Sequence, residues 1–196
     1  MKSVLISINP KWCELIASSK KTVEVRKTRP KLETPFKVYI YCTENGGVLQ
    51  KVNNLVQKVN DTTIDLNEDS TIYDLNGKVI GEFVCDWVES TPLWRIKGNT
   101  GFCAKRTDRE ENLPKMACLS IKELEKYACS ENRLIYGWHI DNLVIYDEPK
   151  GLHHFFKPCG DCDKKGTSRC TEELTDCRAK VITRPPQSWC YVEELK

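Results

Sequence analysis

Apolar positions change their period several times along the chain, and each change marks an element. "SVLISI" (Ser3 to Ile8) is a short apolar, β-branched run that predicts a strand. Asn9 and Pro10 follow as a helix start, because Asn can cap free amides and Pro fits the first helical position. Trp12, Leu15 and Ile16 then recur at helical spacing and predict two turns ending near Ser18. In "KTVEVRK" the period drops to two, which puts Val23 and Val25 on one face and Thr22, Glu24 and Arg26 on the other. "FKVYIYC" predicts another strand, with Phe36, Val38, Ile40 and Cys42 on one side.

Residues 44–76 are polar, acidic and rich in Asn and Asp, and read as an excursion from the core with one short helix around Val48 to Val59. β character resumes at "KVIGEFVCDWVES" (Lys78 to Ser90). In "SIKELEKYA", Ser120 and Glu123 stand at capping-box spacing and Ile121, Leu124 and Ala128 share a side, so a helix is predicted. Residues Leu134 to Pro149 read as two strands or one bent strand, and "SWCYVEEL" as a last one. Short strands interrupted by two or three short helices, without regular βαβ alternation, predict an α+β fold. The expected form is a small mixed β-barrel rather than a doubly wound sheet.

A chain of 196 residues suits one elaborated domain. The organisation predicted is a barrel over residues 1–150 with an acidic insertion at 44–76, a cysteine-rich segment at 151–183, and a final strand at 184–196 that returns to the barrel. A net charge of +2 hides an uneven distribution. Residues 1–40 hold nine Lys/Arg against three Asp/Glu, whereas residues 41–90 hold three against nine. The basic N-terminal stretch could therefore present a surface to an anionic partner such as a phosphate backbone, or simply solvate an outer face. The apolar run at the start is too short for a signal peptide, and no segment has the ~20 apolar residues needed to span a bilayer. A cytosolic, membrane-free protein is expected. In that compartment an odd count of eleven cysteines points to core packing or metal binding rather than disulfides.

"CGDCDKKGTSRCTEELTDC" places Cys159, Cys162, Cys170 and Cys177 close together. Two residues separate the first pair, a spacing that lets one tight turn, eased by Gly160, aim two thiolates at one ion. Cys170 and Cys177 could complete a tetrahedral set, or His153 or His154 could replace one of them. Because the segment is too polar to organise itself by burial, a structural zinc with four protein ligands is the expected cofactor. The other cysteines (Cys13, Cys42, Cys85, Cys103, Cys118, Cys129 and Cys190) are dispersed, mostly within apolar patterns, and read as core residues.

Lys21, Glu24 and Arg26, after a helix that begins "INPKW" and ahead of Arg29 and Pro30, resemble the signature of the ASCH family. That signature runs Gly, any, Lys, any, any, Glu, any, Arg, and Ser19 stands here in place of the Gly. The similarity extends to "IGEFVCD", "YGWHIDNLVIYDEPK" and "RPPQSWCYVEEL", which look like later strands of ASCH proteins encoded in bacterial and phage genomes. The acidic excursion and the cysteine segment lie outside it.

The resemblance implies a PUA-like barrel with a cleft beside the first helix, and ligands drawn from RNA or modified nucleosides. It implies that Lys21 and Arg26, with Arg29 nearby, hold phosphate or a base carbonyl. Glu24 would orient them, accept from a base amino group or act as a general base. Trp12, Trp138 or Trp189 would offer a stacking face. Simple alternation puts Lys21 on the face opposite Glu24, so it joins the site only if the chain bends. One bacterial ASCH group deacylates N4-acetylcytidine with a Lys, Thr and Glu set and has Thr where Glu24 stands here; Thr22 lies two residues earlier on the same strand face. An RNA- or nucleotide-binding module is therefore expected first. A hydrolase of RNA or an acylated nucleoside, with Lys21 and Glu24 catalytic, comes second, and a protein-interaction adaptor that uses the zinc segment third.

Overall fold

The computed structural model describes residues 2–59, 70–96, 99–102, 113–128, 134–158 and 180–195. Strand β1 (Lys2–Ile8), helix α1 (Pro10–Ala17), strand β2 (Val23–Arg26) and strand β3 (Phe36–Cys42) follow the predicted periods closely. Next come β4 (Leu49–Val52), β5 (Leu55–Lys58), β6 (Ile72–Asp74), β7 (Lys78–Cys85), β8 (Val88–Ile96) and β9 (Asn99–Phe102). Helices α2 (Leu113–Ala117) and α3 (Ile121–Ala128), strands β10 (Leu134–His139) and β11 (Asp141–Lys150), a 3-10 turn at Leu152–His154 and strand β12 (Trp189–Glu193) complete the order. The fold is α+β.

A five-stranded sheet runs β11-β7-β3-β1-β12, a second runs β2-β10-β8-β9, and a third runs β5-β4-β6. No sheet closes on itself among the described residues, so the barrel expected from the sequence is represented by three open sheets. β1 and β3 pair in parallel while their outer neighbours are antiparallel. The five-stranded sheet is covered on both sides, which explains its near-continuous apolar strands. From β1 and β3, Val4, Ile6, Val38 and Ile40 face one core with Trp138. Leu5, Tyr39 and Tyr41 face another with Phe155, Ile182 and Val192.

One expectation needs correction, and one element lies outside those expected. The excursion contains no helix at 48–59: β4 and β5 form a hairpin with Val52 opposite Leu55, turning through Asn53 and Asn54. Asn53 takes φ +52°, the left-handed backbone such tight hairpin turns require. Helical-looking spacing arose because apolar residues stand on both faces, with Leu49 and Val56 inward and Val48, Leu55 and Val59 exposed. This small sheet is pinned to the body by the buried Lys51, whose Nζ donates to the carbonyl of Tyr146 at 2.8 Å. Helix α2 is the unexpected element, five residues whose sequence shows no helical period. Among the described residues no helix is long and apolar enough to cross a membrane.

Candidate functional site

The site begins at the end of α1. Ser18 is the last half-helical residue, and Ser19 adopts φ +57°. The amide of Ser19 donates to the Ile16 carbonyl at 2.8 Å and that of Lys20 to the Leu15 carbonyl at 2.9 Å. This is a Schellman turn, with Ser19 at the left-handed position where glycine is normally favoured. The Lys21 amide also donates to Leu15 at 2.9 Å, so the chain doubles back under its own helix. β2 starts only at Val23, and strand alternation therefore does not govern Lys21. The bend that the sequence left open is present, and a serine makes it.

Lys21 is 2% exposed, Glu24 6% and Arg26 8%. Glu24 stands between the two cations: Lys21 Nζ lies 3.3 Å from Oε2, and Arg26 Nη2 lies 2.9 Å from Oε1. Lys21 Nζ also donates to the Ala117 carbonyl at 2.8 Å. That carbonyl closes the C-terminal end of α2, where a helix has no internal donor for it. Arg26 Nη2 donates to the Ser7 carbonyl at 2.6 Å and Nη1 to Ser188 Oγ at 3.4 Å. Its Nε–H is buried and meets no acceptor among the described residues. Removing charges from water is costly unless they pair, and here two cations share one carboxylate. The buried set therefore carries one net positive charge that Glu24 does not balance.

These residues floor a hollow of about 600 Å³ bounded by α1, β2, α3 and the segment before β12. Four basic side chains (Lys21, Arg26, Lys27, Lys126) and two acidic ones (Glu24, Glu123) line it. Lys27 Nζ sits 5.1 Å from the Tyr127 ring centroid, and Lys11 Nζ 4.4 Å from that of Trp12. α3 is fixed at this wall by the predicted capping box: Glu123 Oε2 accepts from the Ser120 amide at 2.8 Å, and Ser120 Oγ accepts from the Glu123 amide at 3.3 Å. These hydrogen bonds hold the Glu123 carboxyl below its ordinary range.

The structure brings together Lys21, Glu24, Arg26 and Trp12 as the sequence suggested. Lys21 Nζ approaches the Trp12 ring to 5.2 Å. Arg29 does not line the hollow; its guanidinium donates to the backbone carbonyls of Pro30 and Leu32 at 3.4 Å each. Trp138 is fully buried, edge-on to Phe36, and Trp189 donates from Nε1 to Thr28 Oγ1 at 3.0 Å; neither offers a stacking face to the hollow. Thr22 does not line it either. Sequence reading missed Lys126, Tyr127 and Gln187, which reach the hollow only through tertiary packing.

Cys159, Cys162, Cys170 and Cys177 lie outside the described residues, as do Cys103 and Cys129. His153 and His154 are exposed on the 3-10 turn. Among the described residues no group of three or more His, Cys, Asp or Glu could hold a metal. Cys13, Cys42 and Cys85 are buried in the core. Burial pushes the Cys13 thiol well up, with Cys42 beside it adding to the shift, and pushes Cys85 up to about 12.

No family model matches the chain, and no curated protein matches it. Structurally the chain is similar to an ASCH protein. The crystal structure of ASCH from Zymomonas mobilis is 16% identical, with 98% of this chain and 88% of that one covered and a TM-score of 0.48. A tyrosine-to-phenylalanine variant of the Zymomonas mobilis protein is 15% identical over 99% and 92% of the two chains, with a TM-score of 0.49. A serine-to-alanine variant from the same organism is 13% identical over 98% and 89%, again at 0.49.

Proposed function

We propose that the chain is an ASCH-type, PUA-like module that binds RNA or a nucleotide in the hollow above Lys21, Glu24 and Arg26. One observation carries this reading: the three residues that resemble the ASCH signature converge, buried, on the floor of one open hollow with a net positive charge. Lys27 and Lys126 at the wall add charge suited to phosphate, and the Trp12 and Tyr127 rings add aromatic surface. The volume suits a nucleotide-sized ligand. The hydrolytic alternative gives Lys21 and Glu24 catalytic roles, yet both oxygens of Glu24 are already paired with cations. That arrangement favours holding a ligand over moving a proton.

The test is a titration of labelled single-stranded RNA at low and raised salt. Binding at low salt that weakens linearly with the logarithm of salt concentration is expected, because phosphate contacts release counterions. No binding even at low salt would remove the reading.

A further inference from the structure

Most polar groups on the walls of the hollow are already spent on the protein itself. Asn9 Oδ1 accepts from the Lys11 amide at 3.1 Å, and its Nδ2 donates to the Asn45 carbonyl at 2.9 Å. Thr43 Oγ1 donates to Asn45 at 3.4 Å. Ser7 Oγ donates to the Pro186 carbonyl at 2.6 Å. Glu24 is shared by two cations and Glu123 is committed to its cap. A ligand that touches these groups meets charge and shape but few uncommitted hydrogen-bonding edges.

Gln187 is different. The residue is exposed and lines the hollow, and its side chain makes no hydrogen bond within the described residues. Its backbone, by contrast, is clamped on both sides. Ser7 holds the preceding residue through Oγ to the Pro186 carbonyl at 2.6 Å. The Ser7 amide holds the following one by donating to the Ser188 carbonyl at 2.9 Å. Two prolines, Pro185 and Pro186, fix φ on the approach. Ser188 Oγ also accepts from Arg26 Nη1, so the residue after Gln187 is tied to the guanidinium whose Nε–H lacks an acceptor among the described residues. A clamped backbone with a free primary amide is the arrangement expected of a recognition residue, since little ordering remains to be done on binding.

On the reading that the hollow takes a nucleotide, we infer that Gln187 is its base-reading residue. The amide carbonyl accepts from an exocyclic amino group while the amide nitrogen donates to the adjacent ring nitrogen, the two-bond pattern by which glutamine recognises adenine. Adenine offers that pattern on two edges, and cytosine and guanine offer it on one each. An unpaired amino-bearing base, adenine first, is the ligand class the hollow selects.

The experiment uses the full chain and a short single-stranded RNA, uridine throughout except for one central position varied through all four bases, titrated at two salt concentrations. The unsubstituted protein should favour the adenine probe over the all-uridine probe by about fivefold or more, the lower end of what a two-bond contact provides. Gln187→Ala should bring the four probes within about twofold of one another while the salt slope stays unchanged, because no phosphate contact is lost. Gln187→Glu, which removes the amide donor, should change the rank order of the bases. Equal discrimination by the protein and its Gln187→Ala variant, no discrimination by either, or a preference for uracil over the amino-bearing bases would overturn the assignment while leaving nucleotide binding standing. Loss of all binding at low salt would remove the nucleotide reading itself, and this inference with it.

Discussion

Lys21 donates to the carbonyl of Ala117, ninety-six residues further along the chain, at 2.8 Å. One buried ammonium thus ties the signature segment to α2 while it pairs with Glu24, so the same contact supports the fold and sets the charge of the hollow. Lys21→Met should remove both functions: it strands a helix-terminal carbonyl and leaves Glu24 with Arg26 alone. A loss of about 3–5 kcal/mol in denaturant unfolding is expected, the usual cost of deleting one partner of a buried ion pair. Adding Glu24→Gln should cost less than the sum of the two single changes, because the second loses an interaction already broken. Strict additivity would show that the pair is not coupled.

Ser19→Gly tests the bend. A side-chain-bearing residue in the left-handed region carries a penalty of about 1–2 kcal/mol, partly offset in glycine by the greater freedom of the unfolded chain. A gain of about 0.5–1 kcal/mol is expected, which is an increase in Tm of up to about 2–4 °C for a chain of this size. Ser19→Val should move in the opposite direction. A destabilised glycine variant would mean that the serine hydroxyl, not the backbone, holds the turn.

These two residues also show where sequence reading succeeds and where it stops. β1, α1, β2 and β3 were legible because each is long enough to display a period, and Glu24 and Arg26 were placed on one face by alternation alone. Lys21 was harder, since its position depends on a turn that the signature assigns to glycine and that serine makes here. Its partner α2 was invisible: five residues, "LPKMA", are too few to show a period. The hairpin at 49–58 was misread because apolar residues on both faces of a short sheet imitate a helical stripe, although the Asn53–Asn54 pair marks its turn. Lys126, Tyr127 and Gln187 reach the hollow from far along the chain, and no local pattern could have put them there.

If the hollow binds a nucleic-acid backbone, the wall lysines should contribute individually to its salt dependence. Lys27→Ala and Lys126→Ala are each expected to weaken RNA binding and to reduce the salt slope by about one. Neither change should alter base preference. Unchanged slopes in both variants would mean that phosphate lies elsewhere.

The proposal of a structural zinc on Cys159, Cys162, Cys170 and Cys177 is checked by elemental analysis of protein purified without chelator. About one zinc per chain is expected, and Cys159→Ser with Cys162→Ser should abolish it, because thiolates supply both the charge and the geometry. Protein with a full complement of cysteines and no zinc would end that proposal.

Alkaline pH should destabilise the fold, and the sign follows from the buried acids. Burial raises the Cys85 thiol from its ordinary 9.0 to about 12 and raises Cys13, Tyr39, Tyr127 and Tyr146 in the same direction. Lys37 is raised as well, first by its hydrogen bond to Glu82. In each case the folded chain holds its proton at a pH where the unfolded chain has begun to release it, so unfolding becomes coupled to proton loss. The stability these groups contribute is complete below about pH 9 and is lost as pH rises toward their folded values, at up to about 1.4 kcal/mol per pH unit for each group. Urea unfolding measured from pH 7 to about 11 should therefore show midpoints that hold level and then decline steeply. A midpoint that stayed level or rose across the alkaline range would mean that these side chains are accessible to water in the folded protein.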